Sequence, residues 1–173
     1  MILLVIDIQK GITDDGLYNF GGFLSRCKKL IDTARGRDIE VIYFQHDDGP
    51  GSGFSSGDKN FEIADQVAPM KGEKVFVKTI NSCFGNEEFR KYMEAQEDKC
   101  LMLIGLQTNY CIDATIRSAF ERGYRVIVPE GANSTFDNEY MDAETTYRYY
   151  NEEIWPGRFA DCVSLDDALA MME

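Results

Sequence analysis

Residues 101–120 read LMLIGLQTNYCIDATIRSAF and carry the clearest fold signal in the chain. It opens with an apolar run of strand length, Leu101 to Leu106, which contains a glycine and leads into a polar turn at Gln107. After the turn, apolar residues recur at the spacing of an amphipathic helix, and the pattern stops at Gly123, as helices commonly do. The stretch therefore predicts a buried strand, a turn, and a helix that begins at or just before Cys111. The apolar helix positions are Ile112, Ile116, Ala119 and Phe120.

The same alternation of strand and helix extends through the rest of the chain. Five further short apolar runs predict strands, and a helical stripe that includes Cys27 lies between the first two of them. Strands that alternate with helices favour a parallel sheet covered on both faces. We therefore expect a single domain, residues 1–173, with an α/β fold: a three-layer α/β/α, Rossmann-like arrangement around a six-stranded parallel sheet. The five further strands are Ile2 to Ile6, Glu40 to Phe44, Lys74 to Val77, Tyr124 to Val128 and Phe159 to Val163.

The chain is acidic, with 18 lysines and arginines against 30 aspartates and glutamates and a formal net charge of −12. Because nucleic acids and anionic membranes would be repelled at long range, we expect neither as a partner. The apolar runs have only strand length, and Met1 leads directly into the first strand without a basic segment or cleavage site, so a cytoplasmic location is predicted. The five cysteines show neither paired nor zinc-binding spacing, and we expect reduced thiols.

Three chemically reactive residues follow predicted strands. Asp7 follows the first strand, Lys78 follows the third, and Cys111 follows the turn after the fourth. The carboxyl ends of parallel strands meet at one edge of a sheet, where α/β proteins bind their ligands, so the three side chains should converge. Each residue alone is more often structural, but their joint placement favours a catalytic site.

A thiol at this position can be activated by its surroundings. A helix N-terminus and a nearby ammonium are expected to lower the pKa of Cys111 from the free-cysteine value of about 8.5. The Asp7 carboxylate would serve as proton acceptor. Its own pKa would rise by burial or fall by pairing with Lys78, so the sequence leaves the proton positions open.

Short motifs surround these residues. The first strand closes on Asp-x-Gln (Asp7, Gln9); Lys-x-x-x-Ser-x-Phe follows the third strand (Lys78, Ser82, Phe84); and Gly-x-x-Thr-x-x-Cys follows the fourth (Gly105, Thr108, Cys111). Together the motifs resemble the isochorismatase-like cysteine hydrolases, a family that includes nicotinamidases and N-carbamoylsarcosine amidohydrolases. The last motif is the most specific. Weaker similarity in Gly131 to Thr135 and Tyr149 to Phe159 extends the resemblance nearly from end to end.

The resemblance implies a role for each motif residue. Asp7 would be the general base, Cys111 the nucleophile, and Lys78 the cation that holds the pair and favours thiolate. The backbone N–H groups of Gln107 and Cys111 would form an oxyanion hole beside a non-proline cis peptide at Leu106–Gln107. The implied reaction is hydrolysis of an amide or carbamoyl C–N bond of a small metabolite through a thioester.

The resemblance also bears on ligands. From the motif residues and the aromatic residues near them, we expect Gln9, Phe84 and Tyr110 to contact the substrate. Nicotinamidases of this family carry a metal site that needs an aspartate and two histidines, whereas this chain has one histidine, His46. We therefore expect no metal and no other cofactor. His46 is interpreted as a hydrogen-bonded structural residue, with a Cys111–His46 pair as the open alternative.

Three clustered tyrosines bear on whether the chain forms oligomers. Tyr147, Tyr149 and Tyr150 cluster in one helical stretch, which is unusual for a solvated surface and indicates a subunit interface. Members of the resembling family are commonly dimers or tetramers. We therefore expect a homodimer or a homotetramer.

Other functions fit parts of the sequence. An aspartate after strand one with a lysine is also typical of phosphate-handling α/β proteins, but Gln9 stands where a haloacid-dehalogenase-like phosphatase needs a second aspartate. A nucleotide- or flavin-binding module needs a phosphate-binding turn after strand one, and residues 9–15 offer one glycine and two carboxylates. A family member that kept the triad but acts as a binding protein is the third alternative.

Overall fold

Seven parallel strands form one sheet in the computed structural model, which describes residues 1–173. The strand order is β3-β2-β1-β4-β5-β7, and the short β6 pairs separately with β4. All six predicted strands are present, and the predicted parallel sheet is confirmed. The seventh strand was missed because two residues are too few to show an apolar pattern. The strands are β1 (Ile2–Ile6), β2 (Glu40–His46), β3 (Lys74–Lys78), β4 (Cys100–Leu106), β5 (Arg125–Pro129), β6 (Asn133–Ser134) and β7 (Asp161–Val163).

Four α-helices lie between strands, and a fifth follows β7. They are α1 (Phe20–Gly36), α2 (Glu87–Glu94), α3 (Asp113–Glu121), α4 (Ala143–Arg148) and α5 (Leu165–Ala170). Two π-helical turns, Thr108–Ile112 and Tyr149–Ile154, precede α3 and follow α4. None of the helices combines the length and the apolar composition that a membrane span requires.

The sheet is covered on both faces, which confirms the three-layer arrangement. Alternate side chains of a strand point to opposite faces, and every residue of β1 is buried. Leu3 and Val5 pack in one core cluster with the buried side of α1, whereas Leu4 and Ile6 pack in a second cluster with α2 and α3. This double burial explains why the strands read as continuous apolar runs.

Gly105 brings the ends of β1 and β4 close together. It pairs with Ile6 in the parallel register and has φ 129°, a backbone conformation that glycine adopts readily. A Cβ atom at this position would overlap the carbonyl oxygen of Ile6. The motif glycine therefore places Asp7, the residue after Ile6, beside the turn that carries Cys111.

Candidate active site

Asp7, Lys78 and Cys111 meet at the carboxyl edge of the sheet. Lys78 Nζ donates to Asp7 Oδ2 at 2.6 Å and to Cys111 Sγ at 3.2 Å. All three residues are buried, and the Lys78 side chain is 0% exposed. The structure therefore brings together the three residues that strand-end reasoning selected, with the ammonium between the carboxylate and the sulfur.

Asp7 has an unusual backbone and a free oxygen. Its φ of 52° lies in the left-handed region, which non-glycine residues rarely adopt and which is enriched at functional sites. Oδ2 accepts from Lys78, while the buried Oδ1 has no hydrogen-bond partner. Burial raises the pKa of Asp7, and the nearby Lys78 charge only partly opposes this rise. Asp7 is thus a carboxylate with one oxygen available to take a proton.

The thiol of Cys111 is protonated in this arrangement. Burial and the charge of Asp7 raise the pKa of Cys111 to about 12, although Lys78 acts in the opposite direction. Burial alone would lower the pKa of Lys78, but attraction to Asp7 outweighs burial and raises it. The predicted lowering of the thiol pKa is therefore wrong for the resting site. A proton that leaves Cys111 can move to Asp7, and the net charge of the site then stays the same.

His46 is the third contact of the Lys78 ammonium. Its Nδ1 lies 3.2 Å from Lys78 Nζ, and its Nε2 lies 3.2 Å from Asp48 Oδ1. The sequence contained one signal for this position. His46 ends β2, and the carboxyl end of β2 meets the same edge of the sheet as Asp7 and Lys78. In the register of β2 and β3, His46 stands directly opposite Lys78.

The residues at this position do not fit a metal ion. Ligand atoms of Asp7, His46 and Cys111 all lie within 4.8 Å of one another, as in a candidate metal site. The ammonium of Lys78 contacts a donor atom of each of the three residues. A divalent cation bound to these atoms would stand beside a buried positive charge, which is strongly unfavourable. The donor set is arranged around the lysine.

The turn after β4 presents backbone donors to the same space. The peptide Leu106–Gln107 is cis, as the resemblance implied. The backbone N–H of Gln107 donates no hydrogen bond within the chain. Cys111 lies in the π-helical turn Thr108–Ile112, directly before α3, rather than at the first residue of a regular helix. N–H groups in the first turn of a helix generally lack intrahelical partners, so they are available to a ligand.

A neutral network of buried side chains supports this turn. Thr108 Oγ1 donates to Asn133 Oδ1 at 2.7 Å, and Asn133 Nδ2 donates to Asn151 Oδ1 at 2.9 Å. Asn151 Nδ2 in turn donates to the Tyr147 carbonyl at 2.8 Å. We call Thr108, Asn133 and Asn151 the amide network. Asn133 and Asn151 lie within the two segments of weaker family similarity, so the network gives these segments a structural role.

Tyr147 packs and hydrogen-bonds within its own chain. Its side chain is buried, and its hydroxyl accepts from the Gly131 backbone N–H at 2.8 Å. The prediction that Tyr147 belongs to a subunit interface is therefore wrong. Tyr149 is exposed, and homodimer or homotetramer formation stays a prediction.

Above Cys111 lies a cavity of about 190 Å³. Tyr110, which is 52% exposed, lines the cavity, and its contact with a substrate stays a prediction. Four residues that the sequence analysis did not assign, Ile12, Asp48, Phe54 and Asn81, complete the wall. Asn81 Oδ1 lies 3.8 Å from Cys111 Sγ. The size suits a small polar metabolite. The lining residues are Asp7, Ile12, His46, Asp48, Phe54, Asn81, Gln107, Tyr110 and Cys111.

Gln9 and Phe84 do not face the cavity, which corrects two predicted substrate contacts. The Gln9 side chain donates to the His46 and Phe61 carbonyls and accepts from the His46 backbone N–H at 2.7 Å. Its amide thus joins the chain after β1 to the end of β2 and has no exposed atom for a ligand. Phe84 is buried in the core, where its ring packs against Phe89 and Tyr124.

Comparisons with known proteins agree with the fold and the motifs. A family model described as Isochorismatase domain matches residues 1–162. The chain is 28% identical over 153 residues to an uncharacterized isochorismatase family protein of Bacillus subtilis, covering 84% of this chain and 82% of the relative. It is 24% identical over 205 residues to a ureidoacrylate amidohydrolase of Rhizobium rhizogenes, covering 96% and 83%. A crystal structure of an isochorismatase family protein superposes with a TM-score of 0.86 and 27% identity, covering 94% of this chain and 97% of that one.

Proposed function

Because the chain belongs to the isochorismatase family, we propose that it is a cysteine hydrolase that cleaves a C–N bond of a small amide or carbamoyl compound through a thioester on Cys111. One observation carries this proposal: Lys78 Nζ contacts Asp7 Oδ2 and Cys111 Sγ beside a small cavity. The relative named ureidoacrylate amidohydrolase supports a carbamoyl-type substrate, because a ureido group contains a carbamoyl nitrogen. Membership of this family leaves the phosphate-handling and nucleotide-binding alternatives without support.

The first step forms the S–C bond. Cys111 Sγ attacks the carbonyl carbon while its proton moves to the free Oδ1 of Asp7. The carbonyl oxygen gains the negative charge and accepts hydrogen bonds from the N–H groups of Gln107 and Cys111. Each such donor is typically worth about 10²–10³-fold in rate. Lys78 stays protonated and keeps the carboxylate and the sulfur aligned.

The second half of the cycle releases both products. Asp7 returns its proton to the leaving nitrogen, the C–N bond breaks, and a thioester remains on Cys111. Water then attacks the thioester carbon while Asp7 again accepts a proton. Collapse of this intermediate breaks the C–S bond, and the proton on Asp7 returns to Cys111 Sγ. The products are an amine or ammonia and an acid, and the site recovers its starting protonation.

Turnover of a confirmed substrate tests the proposal. Ammonia release from a panel of primary amides and carbamoyl compounds identifies the substrate, and Cys111→Ala should lower kcat/KM by at least about 10³-fold. Intact-mass measurement of the wild-type protein during turnover should detect the acyl adduct on Cys111. Cys162→Ala is the matched control, because this half-buried thiol lies outside the cavity.

Two outcomes would contradict the proposal. Full turnover by Cys111→Ala excludes covalent catalysis by this thiol. Binding of panel compounds without release of ammonia and without an adduct favours the alternative of a catalytically silent binding protein.

A further inference from the structure

The ammonium of Lys78 carries three N–H bonds and is surrounded by three acceptors. Asp7 Oδ2 lies at 2.6 Å, Cys111 Sγ at 3.2 Å, and His46 Nδ1 at 3.2 Å. The Lys78 side chain is fully buried, so no N–H can turn toward bulk water. A buried ammonium is stable only when its donors are paired. The third acceptor comes from a residue outside the Asp-Lys-Cys triad.

The contacts of the ring define its tautomer. An ammonium has only donors, so His46 Nδ1 must carry a lone pair, and the ring proton must be on Nε2. Nε2 lies 3.2 Å from Asp48 Oδ1, so the ring proton is on the side of the Asp48 carboxylate. A protonated ring would place a donor on Nδ1 toward the ammonium. The geometry is therefore that of a neutral imidazole held between a cation and an anion.

The backbone of His46 is also fixed. Gln9 Oε1 accepts from the His46 N–H at 2.7 Å, and Gln9 Nε2 donates to the His46 carbonyl at 3.0 Å. The Asp-x-Gln motif thus contributes twice to the site. Asp7 supplies an acceptor of the ammonium, and Gln9 holds the residue that supplies another.

We propose that His46 is a positioning residue of the active site: its Nδ1 accepts the third N–H of Lys78 and so directs the other two at Asp7 and Cys111. The inference rests on the proposed role of Cys111 as nucleophile. Without the acceptor at position 46, one N–H of the buried ammonium has no partner. The ammonium then turns away from the sulfur, and the thiolate of Cys111 loses its stabilising charge.

Two nearly isosteric substitutions separate this role from simple packing. His46→Asn places an amide oxygen close to the position of Nδ1, whereas His46→Leu has similar bulk and no acceptor. Both variants lose the ring N–H that faces Asp48. The readout is the rate of Cys111 alkylation by iodoacetamide at about pH 8, followed by peptide mass, because thiolate is the reacting form. We expect His46→Leu to slow alkylation about tenfold and His46→Asn to stay within about threefold of wild type.

The outcomes distinguish this inference from the proposed function. An unchanged rate in His46→Leu, or equal loss in both variants, overturns the positioning role while Cys111 stays reactive. Absence of both ammonia release and the Cys111 acyl adduct in the wild-type protein counts against the proposed function itself. If His46→Leu does not fold, His46→Ala with imidazole in the buffer replaces it: restoration of the rate by imidazole supports the role, and no restoration overturns it.

Discussion

Two polar groups of side chains reach the turn after β4, one through Thr108 and the other through Cys111, and they are built differently. The amide network is neutral, and each of its side chains is hydrogen-bonded within it. The charged cluster, which we define as Asp7, His46, Lys78 and Cys111, contains Asp7 Oδ1, the only buried side-chain oxygen or nitrogen of the chain without a partner. The two groups thus differ in whether every hydrogen-bonding atom has a partner. A network that holds a turn is satisfied throughout, whereas a site that moves a proton keeps an acceptor free.

The largest expected effect comes from the charge of Lys78. Lys78→Met removes the ammonium and leaves the Asp7 carboxylate buried without a counter-charge, so the free energy of unfolding should fall by about 3–5 kcal/mol. Urea denaturation followed by circular dichroism measures the change. Because the carboxylate is then destabilised by burial alone, its folded pKa rises further above its unfolded value. The loss of stability should therefore shrink as the pH falls and the carboxyl group binds a proton.

A matched double variant serves as the control for this prediction. Asp7→Asn with Lys78→Met replaces the ion pair by two neutral side chains, and asparagine also tolerates the left-handed backbone of position 7. Most of the lost stability should return, while activity stays absent. A single variant Lys78→Met that is as stable as wild type would show that the buried carboxylate does not depend on the ammonium.

The amide network should give a smaller effect. Thr108→Val removes one buried hydroxyl, but Asn133 Oδ1 still accepts from Asn151 Nδ2 at 3.1 Å. We expect a loss of about 1–2 kcal/mol in unfolding free energy, together with a decrease in kcat because Thr108 follows the Gln107 donor directly. Thr33→Val is the control, since that hydroxyl is exposed on α1. A stability loss as large as that of Lys78→Met would contradict the distinction between the two groups.

The contrast also explains what the sequence could predict. The strands could be predicted because they are buried on both faces and therefore form apolar runs. Asp7, Lys78 and Cys111 could be predicted because the end of each apolar run marks the end of a strand. The direction in which a single side chain points cannot be derived from such a pattern. Gln9 and Phe84 belong to the motifs, yet one joins two strands and the other packs in the core.

His46 and the cavity wall depended on information that no periodic pattern carries. The pairing of His46 with Lys78 follows from the register of β2 and β3, which places the two residues opposite each other. Asp48 and Phe54 lie in a loop whose glycines at 49, 51, 53 and 57 all have positive φ. Glycine adopts many backbone conformations at similar energy, so the path of such a loop cannot be derived from composition.

We expect the weakest effect at Asp48, which lies beside His46 of the charged cluster. The Asp48 side chain is 56% exposed and lines the cavity together with Cys111. Asp48→Asn keeps the size and shape of the side chain but removes the charge. For an amide that bears an ammonium group, kcat/KM relative to a neutral amide of the same shape should fall about two- to fivefold, because a half-exposed charge is strongly screened by water. Asp38→Asn is the control, because it removes the same charge at an exposed position between α1 and β2. If Asp38→Asn changes the ratio of the two kcat/KM values equally, the effect comes from net charge. If neither variant changes the ratio, the Asp48 charge does not contribute to substrate selection.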